Sequence, residues 1–200
     1  MERRGRPKGV DSADTRVRIM DAARVEFASS GYEGASVAMI SSASDLAPSA
    51  IYHYFGGKAA LYEEVVEVTT DAMWTQVDLA VSEGDTVLAS VEAIVGRVLG
   101  LSEKGRQYID FLALSPMEAT LRPEFAHLLD RRTKWQEATF TALAEKGIKT
   151  GELDGFDITA GTEMVRSLIM GWFFEAQIQG QHRSRSGESL VTLFRILGDR

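Results

Sequence analysis

Apolar residues along this 200-residue chain recur at three- and four-residue spacing, the period of one helix face. No segment keeps the two-residue alternation of a half-buried strand. From Thr15 the positions Met20, Ala23 and Phe27 mark a first helix, and Gly31 marks its stop. Ser36 is placed to cap a short helix, Val37 to Ser44, whose Val37 and Ile40 face inward. The stretch around Asp45 breaks that helix. Pro48 suits the first turn of the next one, which ends at Gly56-Gly57 after Phe55. A long amphipathic helix then runs from Lys58 to about Ser82. Further helices are predicted over 85–101, 106–116, 123–147, 158–180 and 186–198, with a polar, glycine-bearing connector over 149–157. The fold class is all-α.

The helix at 48–55 poses a packing problem. Ile51, Tyr52, His53, Tyr54 and Phe55 crowd five consecutive positions, and one small core accepts only one face. Ile51, Tyr54 and Phe55 share a stripe that fits against Phe27, Val37 and Ile40, leaving Pro48, Ser49, Tyr52 and His53 outward. An aromatic stripe at helical spacing is by default core. Here it sits in a capped short helix, a turn of three to four residues and a proline-opened helix, which is the helix-turn-helix plan. In that plan the second helix enters the DNA major groove, where tyrosine and histidine donate to phosphate or bases and small residues permit close approach. Lys58 opens the following helix, at a place suited to a phosphate.

Charge sharpens this picture. The net charge of −7 is unevenly spread. Residues 1–60 carry 8 basic and 7 acidic side chains, whereas 61–200 carry 14 and 22. The basic excess lies in the first ten residues, with Arg3, Arg4, Arg6 and Lys8 against Glu2. Arg4-Gly5-Arg6-Pro7 resembles the core of AT-hook segments, in which arginines lie along a narrow A·T-rich minor groove. The simpler reading is a basic tail attracted to phosphate in a salt-sensitive way. The chain has no cysteine and three scattered histidines, so neither a disulfide framework nor a thiolate site is expected, and no cofactor or metal. His127 and His182 lack a nucleophile motif or phosphate loop, so no enzyme activity is expected. No apolar run approaches the ~20 residues of a membrane span. A soluble, cytoplasmic chain is the expectation.

The run from Thr15 to Val65, with Gly31-Tyr32-Glu33-Gly34-Ala35-Ser36-Val37 and Ile51-Tyr52-His53-Tyr54-Phe55-Gly56-Gly57-Lys58 as its signature elements, resembles the DNA-binding domain of TetR-type (tetracycline-repressor-like) transcriptional regulators. The resemblance implies a three-helix DNA-binding domain at 13–60 behind a basic arm at 1–12. It implies a helical bundle at 61–200 for effector binding and dimerisation. It further implies a homodimer on a palindromic double-stranded operator, released by a small-molecule effector. Ser36, Tyr52, His53, Tyr54 and Lys58 match positions that commonly touch DNA in that family. Two departures stand out. Asp45 replaces a usual glycine in the turn, where aspartate tolerates a left-handed backbone. Ala47 replaces a usual serine or threonine cap, a change that costs roughly 0.5–2 kcal/mol. A ligand-independent architectural DNA-binding protein is the alternative.

In the C-terminal body the helix from Ile158 is apolar on more than one face, as expected of one buried against both its own core and a second subunit. Leu168, Gly171 and Glu175, with Leu190, Phe194 and Leu197 on the last helix, are the expected dimer residues. Met73, Trp74, Phe111, Leu112, Met117, Trp135, Phe140 and Met164 are candidate pocket residues, each also compatible with plain core packing. Such a lining suits an apolar or aromatic effector. Gly96 and Gly100 are placed to open a groove or to admit a neighbouring helix, while Asp110, Glu163 and Arg166 are candidate polar contacts.

Overall fold

The computed structural model describes residues 10–178 and 183–199. Arg3, Arg4 and Arg6 lie outside them. The chain forms two compact units, residues 1–68 and 69–200. Among the described residues there is no strand, and no helix is long and apolar enough to cross a membrane.

The first unit holds α1 (Val10–Gly34), α2 (Val37–Ser44), α3 (Pro48–Phe55) and the start of α4 (Lys58–Glu83). Gly31 leaves helical geometry at φ 67°, so α1 kinks where the sequence predicts its end. Ile19, Ala23, Phe27, Ile40, Ile51, Leu61 and Val65 are buried. The rings of Phe27 and Tyr62 meet edge to face at 5.0 Å. Tyr32 closes on the same Tyr62 ring at 5.1 Å.

The second unit holds the rest of α4, then α5 (Val87–Leu99), α6 (Glu103–Leu121), a short 3-10 turn (Pro123–Phe125), α7 (Ala126–Thr150), α8 (Ile158–Ile178) and α9 (Arg183–Gly198). Its core gathers Trp74, Val91, Ile94, Phe140, Leu143, Val165, Trp172, Leu190 and Phe194. α8 packs on α7 and α9, and α9 also packs on α5.

Long side chains seal the helix ends where α4 turns into α5. The Lys146 ammonium donates to the carbonyls of Val81 and Gly84 and to Ser90 Oγ. That places a cation on the C-terminal carbonyls of α4, which have no partner within the helix. Glu152 does the converse for α5: its two oxygens accept from Val87 N at 2.7 Å and Leu88 N at 2.9 Å. The connector after α7 therefore does structural service, and Leu153 within it is buried.

α6 does not stop at Pro116 but continues to Leu121. A proline inside a helix removes the N–H that would bond to the carbonyl four residues back, here Leu112. That carbonyl accepts instead from Ser115 Oγ at 3.3 Å and from the buried Arg132 guanidinium at 3.3 Å. Burial pulls the Arg132 pKa down to about 10, so the group stays charged at neutral pH.

Lys146→Met keeps the stem but leaves two carbonyls of the α4–α5 turn without their donor. It is expected to lower unfolding stability by about 1–3 kcal/mol. A fall in the urea midpoint at unchanged slope is the signature, and an unchanged midpoint would show that water replaces the ammonium.

Candidate nucleic-acid interface and ligand cleft

The turn that presents α3 is built from local backbone chemistry. Ser36 caps α2 by accepting from Met39 N at 3.1 Å. At the other end Asp45 adopts the left-handed conformation (φ 53°, ψ 47°), the one non-glycine positive φ among the described residues. Its N–H and that of Leu46 return to the carbonyls of Ser42 (3.2 Å) and Ser41 (3.0 Å), closing the α2 C-terminus in the reversed pattern of a helix stop. Ala47 supplies no side-chain cap to α3, and Pro48 fixes the first helical turn in its place. Gly56, at φ 83°, ends α3 by donating to the Tyr52 carbonyl at 3.0 Å.

The eight residues of α3 divide as their spacing predicts. Ile51 and Phe55 are buried, Tyr54 is half-buried, and Pro48, Ser49, Tyr52 and His53 are exposed, with Tyr52 at 58%. His53 and Tyr54 meet edge to face at 5.0 Å. The exposed set is a donor-rich surface on a helix whose other face is anchored.

The anchors themselves were not visible as motifs. Arg16 Nη1 donates to the Tyr54 carbonyl at 2.8 Å, its guanidinium pairs with Glu64, and it lies 4.5 Å from the centroid of the Phe55 ring. Arg18 donates to the Ser44 carbonyl at 2.7 Å. One arginine thus seals the end of α3 and its neighbour the end of α2, where cations are favoured. Lys58 is a further surprise. Its ammonium donates to the carbonyls of Tyr32 (2.9 Å) and Ala35 (3.0 Å) and lies 4.4 Å from the Tyr32 ring centroid. The expected phosphate ligand is thus held by the end of α1, with two of its three protons committed.

In the second unit, α4, α5 and α6 enclose a cleft of about 580 Å³, within the range of roughly 300–1,000 Å³ common for small-molecule sites. Met73 and Leu112 line it as expected. The other pocket candidates do not. Trp74, Phe111 and Phe140 are buried away from it in the core, Trp135 and Met164 pack against the core, and Met117 is 68% exposed. Large apolar side chains fill the interior more readily than they border a void, which is why they mislead here. Asp110, Glu163, Arg166, Gly96 and Gly100 also lie outside the lining, whereas Arg97, Lys104 and Tyr108 belong to it.

The expected dimer residues divide between the interior and the surface of the single chain. Leu190 and Phe194 face their own chain's core, and Leu197 and Leu168 pack against it. Gly171 and Glu175 are exposed. Among the large apolar side chains that α8 and α9 leave exposed are Ile158, Phe174, Leu193 and Ile196.

The family model described as "Bacterial regulatory proteins, tetR family" matches residues 19–65. Over 140 residues the chain is 26% identical to the nucleoid occlusion factor SlmA of Marinomonas sp. (strain MWYL1), covering 68% of this chain and 71% of that one. It is 36% identical over 74 residues to the HTH-type transcriptional repressor AcnR of Corynebacterium jeikeium (strain K411), covering 37% of this chain and 38% of that one. The fold is also similar to that of the transcriptional regulator FadR from Bacillus subtilis in complex with stearoyl-CoA. The TM-score is 0.67 at 18% identity, over 89% of this chain and 96% of that one.

Arg16→Met is expected to destabilise the first unit by about 1 kcal/mol, a value reduced by the partial exposure of the ion pair. Tyr52→Ala and His53→Ala, on the exposed face, should stay within about 0.5 kcal/mol of the parent. Thermal unfolding followed by circular dichroism separates the two cases; equal losses would contradict the assignment of anchor and presented face.

Proposed function

For a chain that belongs to the tetR family of regulators, we propose the role of a homodimeric repressor. It binds a palindromic double-stranded operator and is released by a small apolar or aromatic ligand. The observation that carries this reading is α3, where Ser49, Tyr52 and His53 stand exposed on a helix whose inner face and C-terminus are pinned by Ile51, Phe55 and Arg16. Such a helix can enter a major groove without unravelling. The cleft supports the ligand-responsive part. Thr69, Met73 and Val77 of α4 line it, and α4 also supplies Lys58, Leu61 and Glu64 to the unit that holds α3. A ligand that favours one placement of α4 would bias the spacing of two recognition helices, which must match half-sites about 34–36 Å apart. The alternative, architectural binding without a ligand, leaves the cleft without a use. FadR of Bacillus subtilis, whose fold is similar, is a regulator that holds a ligand.

Charge assigns a role to the arm. Residues 11–68 hold four basic side chains, Arg16, Arg18, Arg24 and Lys58, against nine acidic ones. Arg16, Arg18 and Lys58 bond to backbone carbonyls, and Arg24 is buried against Asp21 at 2.8 Å. Over the described residues, this unit therefore spends its cations on its own frame. Arg3, Arg4, Arg6 and Lys8 are the remaining source of phosphate attraction. They are also placed in sequence to enter an A·T-rich minor groove beside each half-site.

Selection of bound duplexes from a random pool, with full-length protein at fixed salt, is expected to recover an inverted repeat with A·T-rich flanks. Tight binding without any recovered sequence would favour the architectural alternative. Tyr52→Ala or His53→Ala should each weaken operator binding by about 1–3 kcal/mol where the side chain reads a base.

Deleting residues 1–9 is expected to weaken binding several-fold and to flatten its salt dependence. For the homodimer the log–log slope should fall by up to about 7.2, from four lost phosphate contacts in each of the two chains. An unchanged slope would show that the arm does not touch DNA.

The dimer face on this reading is the exposed strip with Phe174, Leu193 and Ile196. The double variant Leu193→Asp, Ile196→Asp should be a folded monomer by light scattering and lose operator binding, while a dimer that persists would place the interface elsewhere.

A further inference from the structure

The cleft of the second unit is chemically lopsided. Its inner wall is aliphatic, with Ile94, Val98, Ile109 and Leu112 among the lining residues, while its other lining groups include two cations, Arg97 and Lys104. No carboxylate lines it. Lys104 is exposed, and its ammonium lies 5.9 Å from the ring centroid of Tyr108, which is also a lining residue. Arg97 is half-buried and pairs with Glu83, an exposed carboxylate outside the lining. An ion pair with one partner so exposed is weak and readily exchanged. Beside apolar walls, the same guanidinium attracts an incoming anion more strongly than it would in bulk water.

We propose that the ligand of this cleft is an amphipathic anion: an apolar body lies along the aliphatic wall and an acidic head exchanges with Glu83 on Arg97, with Lys104 beside it. Ser102 and Tyr108 place hydroxyl donors in the same lining. This rests on the reading of the cleft as the ligand site and narrows its ligand class. The preference arises because an uncharged analogue leaves Arg97 with Glu83 and gains only the apolar term. The anion gains both the apolar term and a charge-assisted hydrogen bond, for which the planar guanidinium is suited. Small hydrophilic anions gain only the head-group term, in a chain whose net charge is −7, and are disfavoured.

Titration calorimetry of the full chain with decanoate and with decan-1-ol tests this directly, since the two differ only in the head group. Decanoate is expected to bind at least ten-fold more tightly. Arg97→Gln should weaken decanoate about ten-fold and leave decanol unchanged, with Lys104→Gln acting in the same direction. Glu83→Gln should tighten decanoate, because it frees the guanidinium; a residue with a merely structural role would not produce that gain. Equal binding of both compounds, indifferent to Arg97→Gln and Glu83→Gln, would overturn the anionic class while leaving the cleft as a ligand site. Ala72→Trp, which fills the cleft from α4, separates the other failure. Binding unaffected by that variant, or no binding of either compound up to about 1 mM, would overturn the cleft assignment and the proposal with it.

Discussion

The first unit depends on how an eight-residue helix is kept in place. α3 is too short to be stable by its own hydrogen bonds, since helix nucleation is costly and isolated segments below ~12–15 residues are marginal. Its apolar face contributes two buried side chains, Ile51 and Phe55. The rest comes from Arg16, which reaches from α1 to the Tyr54 carbonyl of α3, braced by Glu64 of α4 and lying over the Phe55 ring. Three helices thus converge on one guanidinium. The exposed residues can then vary at little cost to stability, because none of these anchoring contacts involves the side chains of Ser49, Tyr52 or His53.

The same economy governs the second unit, where helix ends are closed by side chains distant in sequence. Lys146 and Glu152 take opposite sides of one turn, a cation on the carbonyls that end α4 and an anion on the amides that begin α5. Arg132 and Ser115 together replace the hydrogen bond that Pro116 denies to Leu112. That replacement matters for the cleft, because Leu112 lines it. α6 continues as a helix past the proline, to Leu121.

Which of these features the sequence reveals follows from the range of the forces involved. The α2–turn–α3 segment is legible because its chemistry is local: a serine cap, a residue tolerant of φ > 0, a proline opening and a double-glycine stop. The division of α3 into buried Ile51 and exposed Tyr52 is legible for the same reason, since period alone fixes it. Arg16, Arg18 and Lys58 are illegible as anchors because their partners are backbone carbonyls 23 to 38 residues away, and a carbonyl carries no sequence mark. On α9 the apolar stripe is visible, but a stripe does not say whether it serves its own core. Leu190 and Phe194 serve the core, while Leu193 and Ile196 on the same helix stand exposed. The cleft is hardest of all. A void is a property of how α4, α5 and α6 meet, and bulky residues such as Trp74 and Phe140 fill the interior and so lie away from it.

Charge placement ties the two ends of the chain to different chemistry. Residues 61–200 carry 14 basic and 22 acidic side chains, and such a surface is repelled by phosphate. Approach of DNA to that part of the chain is therefore disfavoured. The same negative field acts on any anionic ligand before it reaches the cleft. A molecule with enough apolar surface to offset that repulsion, and a head group that Arg97 can take from Glu83, gains most on entry. The acidic body and its pair of cleft cations together act as a filter. Inorganic phosphate and small hydrophilic acids lack the apolar surface, uncharged apolar molecules lack the head group, and an amphipathic anion carries both.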